Sequence, residues 1–147
     1  MAVTIRRRSD SSTVIVTFRF DQKVHFGLEL LARKQRRSLN SMVEWAVARL
    51  IDDPNEGLTL PNQGPQGLPI KILDEVWDQE EPDRIVNLAQ RFPSLLGPNW
   101  ERVWKGIRED RSLWMDSQTP NIKKIRTQWD ALKAKYSFSE TARKESK

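Results

Sequence analysis

Apolar and polar residues alternate without a break from Thr13 to Phe20. Val14, Val16, Phe18 and Phe20 share one face; Thr13, Ile15, Thr17 and Arg19 share the other. Period two in a stretch so rich in β-branched and aromatic residues predicts a strand with one apolar and one more polar face. At Asp21 the period changes. Val24, Leu28, Leu31 and Ala32 recur at helical spacing through residues 22–36, and the Asp21 carboxylate stands where it can accept from the free amides of a first turn. Ser38 is a second such cap. It opens a helix over 39–51 carrying Met42, Val43, Trp45, Ala46, Val47, Leu50 and Ile51, and Asp52-Asp53-Pro54 ends it.

Ahead of this unit, residues 1–12 hold the Arg6-Arg7-Arg8 run and then small polar residues. They read as a flexible basic arm, although Val3-Thr4-Ile5 has the composition of a short strand. After it, residues 54–69 contain four prolines and three glycines with no helical period, the mark of a linker. Helical periodicity returns over 70–136. Ile70, Leu73, Val76 and Trp77 come first; Ile85, Leu88, Ala89 and Phe92 follow Pro82; Trp100, Val103, Trp104 and Ile107 follow Gly97-Pro98. Thr119-Pro120 looks like a cap and first turn for a last helix bearing Ile122, Ile125, Trp129, Leu132 and Tyr136. Residues 137–147 read as a disordered tail. The expected fold class is mainly α: a strand and two helices over 13–53, then a small all-helical domain over 70–136.

Eight residues of lone strand expose unpaired amides and carbonyls on both edges, and about forty residues bury too little surface to fold alone. A twofold dimer answers both problems. Two copies of the strand pair antiparallel, and Val14, Val16, Phe18 and Phe20 lie on four interlocked helices, with Leu28, Leu31, Val43, Trp45 and Ala46 in the same core. The other face of the ribbon is left outside with Thr13, Ile15, Thr17 and Arg19. A two-stranded ribbon enters the major groove of B-DNA, where arginine bonds a guanine edge and threonine offers a hydroxyl and a methyl.

Residues 13–51 thereby resemble a ribbon-helix-helix domain, the DNA-binding family of Arc-type, MetJ-type and CopG-type repressors. The likeness is carried by the alternating strand ending at Phe20, the capping Asp21, the helix through Leu28, Leu31 and Ala32, the turn Arg36-Arg37-Ser38 and the second helix from Leu39. It implies that Ile15, Thr17 and Arg19 read bases, Ile15 through a thymine methyl or a sugar edge. It implies too that Ser38, Asn40 and Ser41 at the second helix N-terminus hold a phosphate. Arg36 and Arg37, standing where the family usually has a glycine, add phosphate-binding charge, and Arg6, Arg7 and Arg8 follow the backbone or enter a minor groove. Strand, helix and helix also occur in ordinary α+β domains, where Thr17 and Arg19 simply face water. Residues 70–136 resemble no family.

Composition narrows the chemistry. Hydrophobic residues make up 37% and charged residues 31% of the 147, but six tryptophans and five phenylalanines are too many for a wholly disordered chain. Trp77, Trp100, Trp104, Trp114 and Trp129 read as core anchors of the helical domain. Zero cysteines and one histidine, His25, leave no thiol nucleophile, no thiolate metal site and no histidine triad, so no catalytic, metal or cofactor residues are assigned and the protein reads as no enzyme. The acidic run Asp74, Glu75, Asp78, Glu80, Glu81 and Asp83 reads as a solvated surface. No apolar run approaches the roughly 20 residues that cross a bilayer, and the first residues have no signal-peptide core; the expectation is a cytoplasmic protein without a membrane partner.

Net charge is +5. Residues 1–53 carry ten Lys/Arg against six Asp/Glu, residues 54–120 seven against eleven, and residues 121–147 eight against three, so two basic ends flank an acidic middle. Such asymmetry suggests a polyanion partner. The sequence therefore reads as a homodimeric repressor on double-stranded palindromic operator DNA. Two other readings keep the DNA-binding half. One is an antitoxin whose C-terminal half neutralises a toxin. The other is an accessory protein of plasmid transfer or partition, where residues 70–136 bind a protein partner or the heptad-like last helix builds a tetramer.

Overall fold

A computed structural model describes the backbone of Thr4–Arg7 and all of residues 13–136. The described chain is mainly helical and divides into two compact units, Met1–Gly57 and Leu58–Lys147.

The first unit holds β1 (Thr4–Arg7), β2 (Val14–Thr17), α1 (Gln22–Gln35) and α2 (Leu39–Ile51). Both expected caps are made. The Asp21 carboxylate accepts from the amides of Lys23 (3.0 Å) and Val24 (3.4 Å), and the Ser38 hydroxyl accepts from the Ser41 amide at 3.1 Å. Asp53 closes the far end of α2 by accepting from the amides of Asn55 and Glu56, both at 2.8 Å. Gly57 then comes so near the end of α2 that an added Cβ would overlap the carbonyl oxygens of Leu50, Ile51 and Asp53.

Two expectations change here. Part of the arm is a strand: β1 pairs antiparallel with β2, Thr4 opposite Thr17, Ile5 opposite Val16, Arg6 opposite Ile15 and Arg7 opposite Val14. A strand edge needs a partner, and this stretch supplies one within the chain. The main strand is also shorter than its alternation, because β1 offers four residues to pair with; Phe18, Arg19 and Phe20 lie beyond the ladder.

The second unit begins inside the expected linker. Leu58 accepts from the Ile72 amide at 2.9 Å, and β3 (Thr59–Leu60) pairs with β4 (Ile70–Lys71), enclosing a 3₁₀ turn at Pro65–Gly67. The prolines and glycines of this nine-residue hairpin loop have the composition of a spacer, which is why the pairing is not visible in the sequence. Then come α3 (Ile72–Val76), α4 (Glu81–Arg91), α5 (Gly97–Glu109), α6 (Ile122–Thr127) and α7 (Trp129–Tyr136). The expected single last helix is broken at Gln128, whose φ of −99° and ψ of 7° leave the helical region. The cap of α6 is Asn121, which accepts from the Lys124 amide at 3.2 Å, rather than Thr119.

Val86, Ala89, Leu96, Val103, Trp104, Ile107, Leu113, Ile125, Trp129 and Leu132 form one core. Trp100 stacks on Trp129 with centroids 5.6 Å apart, and Trp114 donates from Nε1 to the Ile107 carbonyl at 2.8 Å. Four of the five expected anchors thus belong to the core or pack on it. Trp77 does not: it is 61% exposed, with the Arg84 guanidinium 4.9 Å from its ring centre. Beside it Leu73, Asp74 and Trp77 line an open surface depression. No helix among the described residues is long and apolar enough to cross a membrane.

Candidate nucleic-acid interface

The base-reading positions are accessible. Ile15 is 52% exposed, and Thr17 and Arg19 are exposed with it. Ile15 and Thr17 stand on β2, while Arg19 follows its end. The alternate face is equally open. Val14, Val16, Phe18 and Phe20 are all exposed, the two phenylalanine rings tilted against each other with centroids 6.3 Å apart.

The helices repeat this pattern. Among the described residues of the first unit only Ala32 and Met42 are buried. Of the positions expected in a dimer core, Leu28, Val43 and Trp45 are half-buried, and Leu31 and Ala46 are exposed. Val24, Phe26, Leu30, Leu39, Val47 and Leu50 add to the uncovered apolar surface. A unit of this size with two buried residues has no core of its own.

The phosphate-binding candidates gather at the turn between α1 and α2. Arg36 ends α1 in the left-handed conformation, φ 52° and ψ 46°, which a glycine would adopt without cost. Its amide donates to the Arg33 carbonyl at 3.2 Å, and that of Arg37 to the Ala32 carbonyl at 2.9 Å. The sequence departure from glycine therefore keeps the glycine geometry. Ser38, Asn40 and Ser41 follow in the first turn of α2, with Ser38 and Asn40 exposed and Ser41 half-buried. Of the arm, Arg6 and Arg7 are placed by backbone on β1; their side chains, and all of Arg8, lie outside the described residues.

Ion pairing separates the two units. Among the described residues, no carboxylate pairs with Arg19, Arg33, Arg36, Arg37 or Arg49 of the first unit, while His25 Nδ1 lies 3.7 Å from Glu29. In the second unit the basic last helices meet the acidic segment. Arg126 donates to both carboxylate oxygens of Asp83, from Nε at 2.7 Å, and this pairing holds its guanidinium above its ordinary pKa. Lys133 lies 3.6 Å from both Glu81 and Asp130, and Arg91 pairs with Glu75. The acidic run read as a solvated surface thus includes three ion-pair acceptors.

Sequence reasoning placed Trp45 in an apolar core. Two guanidinium groups cover its ring instead, Arg37 at 5.2 Å and Arg49 at 4.9 Å from the centroid. The spacing of Arg49 four residues after Trp45 on α2 was the available signal. Comparison with protein-family models, curated proteins and solved structures finds no match in any of the three.

Proposed function

We propose that the protein is a homodimeric, sequence-specific DNA-binding protein of ribbon-helix-helix type that represses transcription by occupying an operator. The observation that carries this reading is a strand, helix and helix unit whose apolar residues stay at solvent beside arginines that have no carboxylate partner among the described residues. A second copy is the occupant that covers such a face symmetrically. β1 takes one edge of β2, and the opposite edge is the one that pairs with β2 of the second copy. The central pair then presents Ile15, Thr17 and Arg19 to the major groove. Three spacings of about 4.8 Å set the outer strands about 14 Å apart, wider than a groove of about 12 Å, so the central pair enters it and the outer strands lie over its phosphate walls. Arg36, Arg37, Ser38, Asn40 and Ser41 fix the register on the backbone.

The second unit has a core of its own, with Val103, Ile107, Leu113 and Ile125 fully buried. That favours a folded accessory domain over an antitoxin tail that orders only on its toxin. The stripe of the last helices is spent on this core, which weakens the tetramer reading.

Selection of bound sequences from a random duplex library, at near-physiological salt, tests the proposal. An enriched palindrome that Arg19→Ala loses is the expected result. Binding that is salt-sensitive but enriches nothing would reduce the first unit to a nonspecific anchor and refute base reading.

A further inference from the structure

We infer that Trp45 is the shared platform of a phosphodiester clamp on α2, holding Arg37 and Arg49 as a pair that grips the DNA backbone. The inference rests on the DNA-binding reading above and adds two residues to it, Trp45 and Arg49. Arg37 directly precedes the cap of α2 and Arg49 stands in its last turn, roughly 15 Å further along the axis at 1.5 Å per residue. Both side chains nevertheless come to one indole. The centroid distances of 5.2 and 4.9 Å bound the separation of the two guanidinium carbons at about 10 Å.

Two like charges so close repel, and among the described residues no carboxylate pairs with either. The Asp53 carboxylate, four residues after Arg49, accepts from the amides of Glu56 and Asn55, which hold it below the usual carboxylate range. Stacking on an aromatic ring offsets the repulsion without using the in-plane N–H donors of either guanidinium. The result is two guanidinium groups gathered over one ring and, among the described residues, lacking an anion. A strand of phosphates supplies what is missing, and Arg37 already adjoins the phosphate-binding turn at Ser38. Trp45 is thus a positioning residue, and Arg49 a backbone contact at the opposite end of the helix.

The test is the salt dependence of duplex binding by the full chain between about 50 and 200 mM, for wild type, Arg37→Gln, Arg49→Gln, Trp45→Phe and Trp45→Leu, each with a thermal melt. Losing one phosphate contact per chain lowers the slope of log K against log salt by about 0.9, or about 1.8 in a dimer. Arg37→Gln and Arg49→Gln should each do this. Trp45→Leu should lower the slope at least as much although it removes no charge, while Trp45→Phe, which keeps a ring face, retains it. An unchanged slope in Arg49→Gln, an exposed position whose replacement leaves the fold intact, overturns the clamp. A lowered slope there with none in Trp45→Leu overturns the platform. Absence of any wild-type binding would instead refute the DNA reading beneath both.

Discussion

Replacing Phe18 by alanine tests the dimer most directly. Phe18 is 47% exposed in the single chain. A phenylalanine offers about 200 Å² when fully exposed, so a second copy has about 90 Å² of this residue to cover. At about 25 cal/mol per Å² that is roughly 2 kcal/mol per chain, and roughly 4 kcal/mol for the two copies of a symmetric interface. Every 1.4 kcal/mol is tenfold in affinity, so the dimer dissociation constant should rise by about three decades. The methyl that remains in alanine trims this figure, and imperfect repacking around the gap enlarges it. Sedimentation equilibrium across a range of concentrations reads the constant. Thr17→Ala, at the neighbouring position on the opposite face, should leave it unchanged while weakening DNA binding. A wild-type chain that stays monomeric at tens of micromolar, or a Phe18→Ala shift below tenfold, would refute the symmetric interface.

Three further outcomes follow from local geometry. Arg36→Gly relieves a left-handed residue at the turn, so thermal denaturation should report a gain of about 0.5–1 kcal/mol while DNA affinity falls, since a phosphate-binding charge is lost. Gly57→Ala drives a Cβ into backbone oxygens at the end of α2 and should destabilise the first unit by about 1–3 kcal/mol, read as a lower melting temperature of the helical signal. Asp116 accepts from the Gln118 amide and from the Thr119 hydroxyl and amide, and these bonds lower its pKa. A carboxyl depressed by folding contributes stability that is fully present above its unfolded pKa and is lost as pH falls through the folded one. Melts between about pH 5 and pH 2 should therefore show a shallower acid loss in Asp116→Ala than in wild type.

Local signals were legible in the sequence wherever one residue decides one structure. Asp21 and Ser38 cap the helices they precede, the bounds of α2 match its apolar period, and the apolar stripes of α4 and α5 lie in the core. What could not be read depended on a partner. The alternation over 13–20 says which faces a strand has, but the ladder stops where β1 stops. The hairpin of β3 and β4 hid in a run of prolines and glycines, because pairing across ten residues leaves no periodic trace. At Trp77 and Trp45 the residue type suggested a core, yet each ring is covered by an arginine that sequence spacing alone does not single out among many. Of the candidate site, Ile15, Thr17 and Arg19 are exposed as the alternation expects, but so is the apolar face opposite them; the joining of Arg37 to Arg49 left no trace in the sequence.

The charge pattern changes its meaning once the units are known. Counted along the sequence, two basic ends suggest a polyanion partner for at least one of them. Counted by folded unit, Leu58–Lys147 carries fifteen Lys/Arg against thirteen Asp/Glu, whereas Met1–Gly57 carries ten against seven. The basic residues of the last helices serve to neutralise the acidic segment of their own unit, through Arg126 with Asp83 and Lys133 with Glu81. Those pairs are intramolecular and already satisfied, so an approaching polyanion would have to break them. The arginines of the first unit face no such competition. Their excess is smaller than the sequence blocks suggested, but among the described residues Arg19, Arg33, Arg36, Arg37 and Arg49 have no carboxylate partner, and an unpaired cation is what releases a DNA counterion at no internal cost. On the DNA-binding reading the contact thus falls on the first unit, which leaves the second free for another task. Duplex binding by the full chain should accordingly be insensitive to Arg126→Gln and Lys133→Gln and sensitive to Arg36→Gln. Equal losses from both sets would overturn the assignment of the contact to the first unit.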